Sequence, residues 1–144
     1  MTPYVARRRV DWGDCDAAGI VFYPNYFRWM DSVFHELTES LGFDQRRLQA
    51  EFALFGTPLV DAGCTFKAPA RYGDDLEIGV AVTRVGQSSL SLLYRFACTE
   101  RAVAEGREAR IFVQASASGL AKAPIPAPLR PKLERFLRDD SDGG

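Results

Sequence analysis

Pro24-Asn25-Tyr26-Phe27-Arg28-Trp29-Met30-Asp31-Ser32-Val33-Phe34-His35-Glu36-Leu37-Thr38-Glu39-Ser40-Leu41-Gly42 is the stretch on which the fold turns. Tyr26, Met30, Val33, Leu37 and Leu41 recur at spacings of three and four, with Trp29 and Phe34 beside them. That period predicts an amphipathic helix with a wide apolar face. Pro24 suits the first turn, where its missing N–H leaves nothing unpaired, and Gly42 suits the end. A helix this apolar on one side must be laid against another apolar surface.

On either side of it the period changes to two. Tyr4, Ala6, Val10 and Trp12 share a parity that Arg8 interrupts, so residues 4–12 read as a strand. After a shorter helical segment at 44–52, four more runs alternate: 58–66, 75–85, 88–99 and 108–118. Their apolar members are Pro58, Val60, Ala62, Cys64 and Phe66; Leu76, Ile78, Val80 and Val82; Leu90, Leu92, Tyr94 and Phe96; and Ile111, Val113, Ala115 and Ala117. Short polar or Gly-containing turns separate the runs, which makes consecutive strands antiparallel. Leu129, Leu133, Phe136 and Leu137 predict a last helix over 126–138. The class is α+β, a five-stranded antiparallel sheet wrapped around a long central helix, because that helix is the only large cover available. One domain over 1–138 accounts for these elements, and the acidic, small-residue end, 139–144, reads as a disordered tail.

Composition narrows the function. A net charge of -1 gives no general attraction to nucleic acid or to an anionic membrane. The chain has no apolar run long enough to span a bilayer and no apolar signal core among its first nine residues, so a cytoplasmic protein is expected. Cys15, Cys64 and Cys98 are odd in number, widely spaced and without a CxxC, which argues against a disulfide framework or a metal site.

The chemistry gathers just before the helix. Asp14-Cys15-Asp16-Ala17-Ala18-Gly19-Ile20-Val21-Phe22-Tyr23 places two carboxylates in a small-residue loop that runs into the helix N-terminus. Free N–H groups and a partial positive charge there suit an anion or a polarised carbonyl. A carboxylate beside such donors is a minimal acyl-transfer site. The residues alone leave Asp16 open as a reacting group or a turn former, and Asp14 as a turn cap or a rival reacting carboxylate. Gly19 permits close approach or an unusual backbone angle. Asp31, on the flank of the apolar face, can meet an acyl group, a partner chain, or His35 at i+4. His35, the one histidine, falls opposite the apolar face and is expected to be exposed. Without a GxSxG, a Ser-His-Asp triad would rest on that residue. Cys15 lies between two acids and is not read as a nucleophile. Arg7-Arg8-Arg9 reads as a charged edge strand. Lys67, Arg71 and Arg84 are scattered cations available to phosphates or to solvent.

The segment Gly13-Asp14-Cys15-Asp16-Ala17-Ala18-Gly19-Ile20-Val21-Phe22-Tyr23-Pro24-Asn25-Tyr26-Phe27-Arg28-Trp29-Met30-Asp31 resembles the 4-hydroxybenzoyl-CoA thioesterase family of hotdog-fold proteins. Phe66-Lys67-Ala68-Pro69-Ala70-Arg71-Tyr72-Gly73-Asp74-Asp75-Leu76-Glu77-Ile78 is similar to that family's turn between its second and third strands. The resemblance implies hydrolysis of an acyl-CoA thioester to the free acid and CoA, with Asp16 as nucleophile or general base. It implies that the Tyr23 backbone N–H polarises the thioester carbonyl and that Asp31 lies by the far end of the acyl group. It further implies a homo-oligomer, dimer or homotetramer, with sites between subunits. No cofactor is implied, since CoA enters as part of the substrate.

One departure stands out: the family's basic cluster, at the turn between its third and fourth strands, is replaced by Gly86-Gln87-Ser88-Ser89, where only Ser89 matches. Gly19, Asp31, Arg84 and Ser89 are the candidate substrate-binding residues. Tyr26, Phe27, Trp29 and Phe34 suit an aromatic acyl group, with a short- or medium-chain acyl-CoA next. The alternative is a non-catalytic module binding acyl-CoA or an acyl carrier on the same scaffold. A hydratase would need an Asp-and-His pair, which the position of His35 disfavours.

Overall fold

Helix α1 (Pro24–Ser40) forms where the three-and-four spacing places it, with Pro24 first and Gly42, at φ +89°, just past its end. Tyr26, Trp29, Met30, Val33, Phe34 and Leu37 are its buried face. The computed structural model describes residues 3–138, so the expected tail at 139–144 lies outside the described residues. The architecture is α+β. Strands β1 (Tyr4–Arg9), β3 (Leu59–Phe66), β4 (Asp75–Val85), β5 (Ser89–Cys98) and β6 (Arg101–Ile111) make one antiparallel sheet in the order β1-β4-β5-β6-β3. The alternating Ile78 and Val80 of β4 and Leu92, Tyr94 and Phe96 of β5 join the α1 face in one core. Gly106 on β6 lets the helix pack close: a Cβ there would fall 2.5 Å from Met30 Sδ. No helix among the described residues is long and apolar enough to cross a membrane.

The structure departs from the sequence expectation in several places. First, the strand expected over 108–118 is two strands. β6 begins at Arg101 and runs to Ile111, and the chain continues through Phe112 into β7 (Val113–Ser116). β7 joins β2 (Leu54–Gly56) and β8 (Gly119–Lys122) in a second, three-stranded sheet. Within β6 the inward parity is also the reverse of the one read from Ile111, whereas Val113, on β7, is buried as expected. Glu108 and Arg110 face inward and are buried, and Ile111 is only half-buried. Charged residues read as solvent-facing, and these two are tolerated inside because they pair with each other. The β5–β6 turn was hidden because Thr99 and Glu100 both adopt positive φ (47° and 65°) without the Gly or Asn that marks such a turn.

Second, one long helix is not the whole cover. Helix α2 (Gln45–Phe52), capped by Asp44 through Arg47 N–H at 2.8 Å, contributes Leu48 to the core. The C-terminal segment adds Ile125, Leu129 and Leu133, although only Arg130–Glu134 (α3) is helical. Third, the first strand stops at Arg9. Trp12 begins a 3-10 turn and is 72% exposed instead of sharing the inward parity of Ala6 and Val10.

The two edges of the main sheet differ in kind. β1 carries the three arginines, a pattern that discourages further pairing. Arg8 has the inward parity and reaches α1, donating to Ser32 Oγ at 2.6 Å and to Glu36. β3 is eight residues long with one charge, Asp61, and is exposed along most of its length. Val60 (58%) and Phe66 (51%), expected to face the core, are exposed. That edge is unguarded.

Candidate active site

The loop before α1 is built by Asp14. Its Oδ2 accepts the Asp11 N–H at 2.8 Å, and its Oδ1 accepts Arg28 Nη2 at 3.0 Å. Its carbonyl accepts the Phe22 N–H (2.9 Å) and Asn25 Nδ2 (2.8 Å), so the loop is tied to the first turn of the helix. Asp16 is left at the tip. Its Oδ1 accepts the Ala18 N–H at 2.9 Å, the local turn that aspartate makes readily, and no donor among the described residues takes Oδ2. The reversal closes through Gly19 N–H to Asp16 O and Asp16 N–H to Ile20 O, each 2.9 Å. Gly19 sits at φ +78°, a left-handed angle that a residue with a Cβ adopts only under strain.

At the helix start the N–H groups of Phe22, Asn25 and Tyr26 all have backbone acceptors, and Pro24 has no N–H. Among the described residues, no acceptor takes the Tyr23 N–H. Asp16 and Tyr23 both line one cavity of about 490 Å³, whose other walls are Ile20, Val21, Tyr26, Phe66 and the segment Lys67–Ala70. Burial, the largest cause, pushes the Tyr26 hydroxyl up to about 12, so that hydroxyl stays protonated at ordinary pH. Burial likewise pushes the Cys64 thiol up to about 11, which leaves it unreactive.

Sequence reasoning missed the wall Lys67–Ala70 as part of the site. Its one signal was that it belongs to the second family-like segment. The structure shows why the two segments go together. Val21 N–H donates to Ala70 O at 2.9 Å, and Ile20 bridges to Arg71. Lys67, read only as a scattered cation, stands on this wall, 3.9 Å from Glu105.

Asp31 is not on this cavity. It lines a second one of about 520 Å³, with His35, Gln45, Phe55, Thr57, Leu59 and Arg110 among its walls. Asp31 Oδ1 accepts Arg110 Nη2 at 2.9 Å and lies 3.7 Å from His35 Nε2. The i+4 pairing with His35 is therefore present, but His35 is half-buried against Phe34 and not exposed as expected. Arg84 and Ser89 lie at the β4–β5 turn, whereas the loop before α1 meets the other end of β4 through Val10 N–H to Asp74 O. Nine residue steps of strand, roughly 30 Å, separate those ends. One chain thus brings Asp16, Gly19 and Tyr23 together and leaves Asp31, Arg84 and Ser89 elsewhere.

Asp16 and Tyr23, whose N–H is unfilled at the start of the helix, line one largely apolar cavity in a helix-on-antiparallel-sheet fold, an arrangement suited to acyl transfer. The chain belongs to the thioesterase-like superfamily, whose family model matches residues 10–133. It is similar to 4-hydroxybenzoyl-CoA thioesterase of Pseudomonas sp. strain CBS-3, with 36% identity over 77 residues. That alignment spans 53% of this chain and about half, 55%, of the relative. Among solved structures it resembles a gentisyl-coenzyme A thioesterase (39% identity, TM-score 0.77, 88% of this chain and 99% of that one). It also resembles a 4-hydroxybenzoyl-CoA thioesterase mutant complexed with 4-hydroxybenzoyl-CoA (27%, TM-score 0.83, 90% and 98%).

Proposed function

We propose that this chain hydrolyses an aromatic acyl-CoA to the free acid and CoA, in a site that a second copy of the chain completes. The observation that carries the reading is that Asp16, with one carboxylate oxygen open, and Tyr23, with its N–H unfilled, line one cavity. With the thioester carbonyl oxygen on the Tyr23 N–H, negative charge developing on that oxygen meets a fixed donor at the positive end of α1. Asp16 then either takes a proton from a water that attacks the carbonyl carbon or attacks it directly. In the first route the C–S bond breaks and the acid forms in one displacement. In the second an acyl-Asp16 anhydride forms and one water cleaves it. Both consume one water and release the CoA thiolate, which takes up a proton. A thiolate is a good leaving group, so the missing general acid costs little.

The second copy follows from β3. Phe66, at one end of the strand, lines the Asp16 cavity, and Leu59, at the other end, lines the Asp31 cavity. Antiparallel pairing of this unguarded edge with its own copy, about a twofold near Ala62–Gly63, sets Phe66 beside the partner's Leu59. The Asp16 cavity of one protomer then faces the Asp31 cavity of its partner, and exposed Leu59, Val60 and Phe66 gain cover. In that assembly Asp31 stands at the acyl end of the site, the role its family resemblance implies. A role for Arg84 and Ser89 at the CoA phosphates requires a further copy, as in a homotetramer. Lys67 is the one cation among the described residues on the Asp16 cavity wall.

The test is thiol release from a panel of acyl-CoAs: benzoyl, 4-hydroxybenzoyl, gentisyl, and short and medium fatty acyl. The aromatic members are expected to show the highest kcat/KM. Tight binding of a non-hydrolysable acyl-CoA with no turnover of any member would replace this reading with the binding module.

A further inference from the structure

Behind Asp31 lies a polar cluster that the hydrolytic steps do not use. Arg110 Nη2 holds Asp31 Oδ1 at 2.9 Å. Its Nε and Nη2 donate to Glu108 Oε1 and Oε2, each at 3.0 Å, and its Nη1 donates to the Thr57 carbonyl at 3.1 Å. Tyr94 OH donates to Glu108 Oε1 at 2.6 Å, and the guanidinium lies 4.2 Å over the Phe34 ring. The Arg110 and Glu108 side chains are 3% and 1% exposed, whereas that of Asp31 is 55% exposed. Burial works against the Arg110 charge, but its bonds to Glu108 outweigh this and hold its pKa above the ordinary value. Burial and the Glu108 carboxylate keep the Tyr94 hydroxyl protonated.

Stability does not explain this arrangement, because well-packed apolar residues in place of a buried ion pair are often neutral or stabilising. The pair Glu108–Arg110 is also satisfied on its own strand and does not need the helix. What the helix contact does is fix one oxygen of a half-exposed carboxylate on the wall of a cavity. Arg110 Nη2 occupies Asp31 Oδ1, and no donor among the described residues takes Oδ2. A planar guanidinium held by Glu108 and the Thr57 carbonyl has one orientation left, so its Nη2 meets Asp31 Oδ1 as a fixed donor.

We propose that Arg110, braced by Glu108 and Tyr94, is a positioning residue that presents Asp31 Oδ2 as a fixed acceptor for a ring hydroxyl on the acyl group. The inference rests on the reading of Asp31 as an acyl-end residue and adds to it the source of selectivity. An aryl-CoA with a suitably placed hydroxyl gains a charge-assisted hydrogen bond, and the unsubstituted ring does not.

The experiment compares kcat/KM for 3- and 4-hydroxybenzoyl-CoA with that for benzoyl-CoA. In the wild type the better hydroxylated substrate is expected to lead by about 10- to 100-fold, the range of one hydrogen bond to a charged group. Arg110→Lys keeps the charge against Glu108 but cannot span Glu108, Thr57 and Asp31 together. It is expected to cut that ratio at least fivefold, and Asp31→Asn on top of it to cut it little further. An equal loss on both substrates, with the ratio kept, overturns the proposal and leaves Arg110 structural. If Arg110→Lys fails to fold, Tyr94→Phe decides: a reduced ratio supports the proposal, and an unchanged ratio overturns it. Wild-type protein that turns over none of the three defeats the thioesterase reading instead, so the two failures are distinguishable.

Discussion

Replacing Asp16 with Asn is expected to lower kcat for thiol release by about 10³–10⁴-fold, the upper range for losing a positioned acid–base group. The amide neither attacks a thioester nor accepts a proton from water. The substitution is otherwise mild. Asn keeps an oxygen for the Ala18 N–H, which is the one bond the Asp16 side chain makes. The loop itself is held by Asp14, through Asp11, Phe22, Asn25 and Arg28. Melting temperature is therefore expected to stay within about 2 °C of wild type, as for surface substitutions in general. Asp14→Asn provides the contrast, weakening an Arg28 contact that is largely exposed on the arginine side. Its effect on kcat is expected to be under about tenfold, acting only through loop position. Full turnover by Asp16→Asn would remove Asp16 from the chemistry.

Glu108→Ala is expected to have the largest effect on stability, about 3–5 kcal/mol, because it strands a buried cation. Arg110, 3% exposed, would lose two bonds at once and Tyr94 OH its acceptor. Asp31 is too exposed to compensate. For a chain of this size that amounts to roughly 10 °C in melting temperature, read by thermal unfolding at one fixed protein concentration. Glu108→Gln, which keeps the shape and an acceptor, is expected to fall between Ala and wild type. A Glu108→Ala protein that melts with the wild type would mean that the cluster is hydrated or rearranged.

The helix and the turn of the loop before it were legible in the sequence because each has local causes. The three-and-four spacing from Tyr26 to Leu41, Pro24 and Gly42 act within a turn or two of where they stand. β6 was misread because its inward residues are Glu108 and Arg110, whose burial rests on the pair they form with each other and on the Tyr94 hydroxyl from β5. The β5–β6 turn at Thr99–Glu100 carries no turn residue, so its start was invisible. β3 has the alternation of a half-buried strand, yet its apolar residues are exposed in a single chain. A pattern records whether a residue is covered, not whether its own chain or a second copy does the covering. The Asp16 cavity was only half legible for a related reason: the wall Lys67–Ala70 is brought to the loop by backbone bonds such as Val21 N–H to Ala70 O, which leave no mark on side-chain pattern.

The most direct test of the composite site is activity in a mixed dimer. Asp16→Asn and Asp31→Ala chains, each nearly inactive alone toward a hydroxylated aryl-CoA, are co-expressed with different tags, and dimers carrying both tags are isolated. If Asp16 of one chain works with the partner's Asp31, one of the two sites receives both lesions and the other receives none. Thiol release is then expected to return to about half the wild-type rate per dimer. If each site lies within one chain, every site keeps a lesion. The mixed dimer would then be no faster than the mean of its parents, and that result would contradict the shared site.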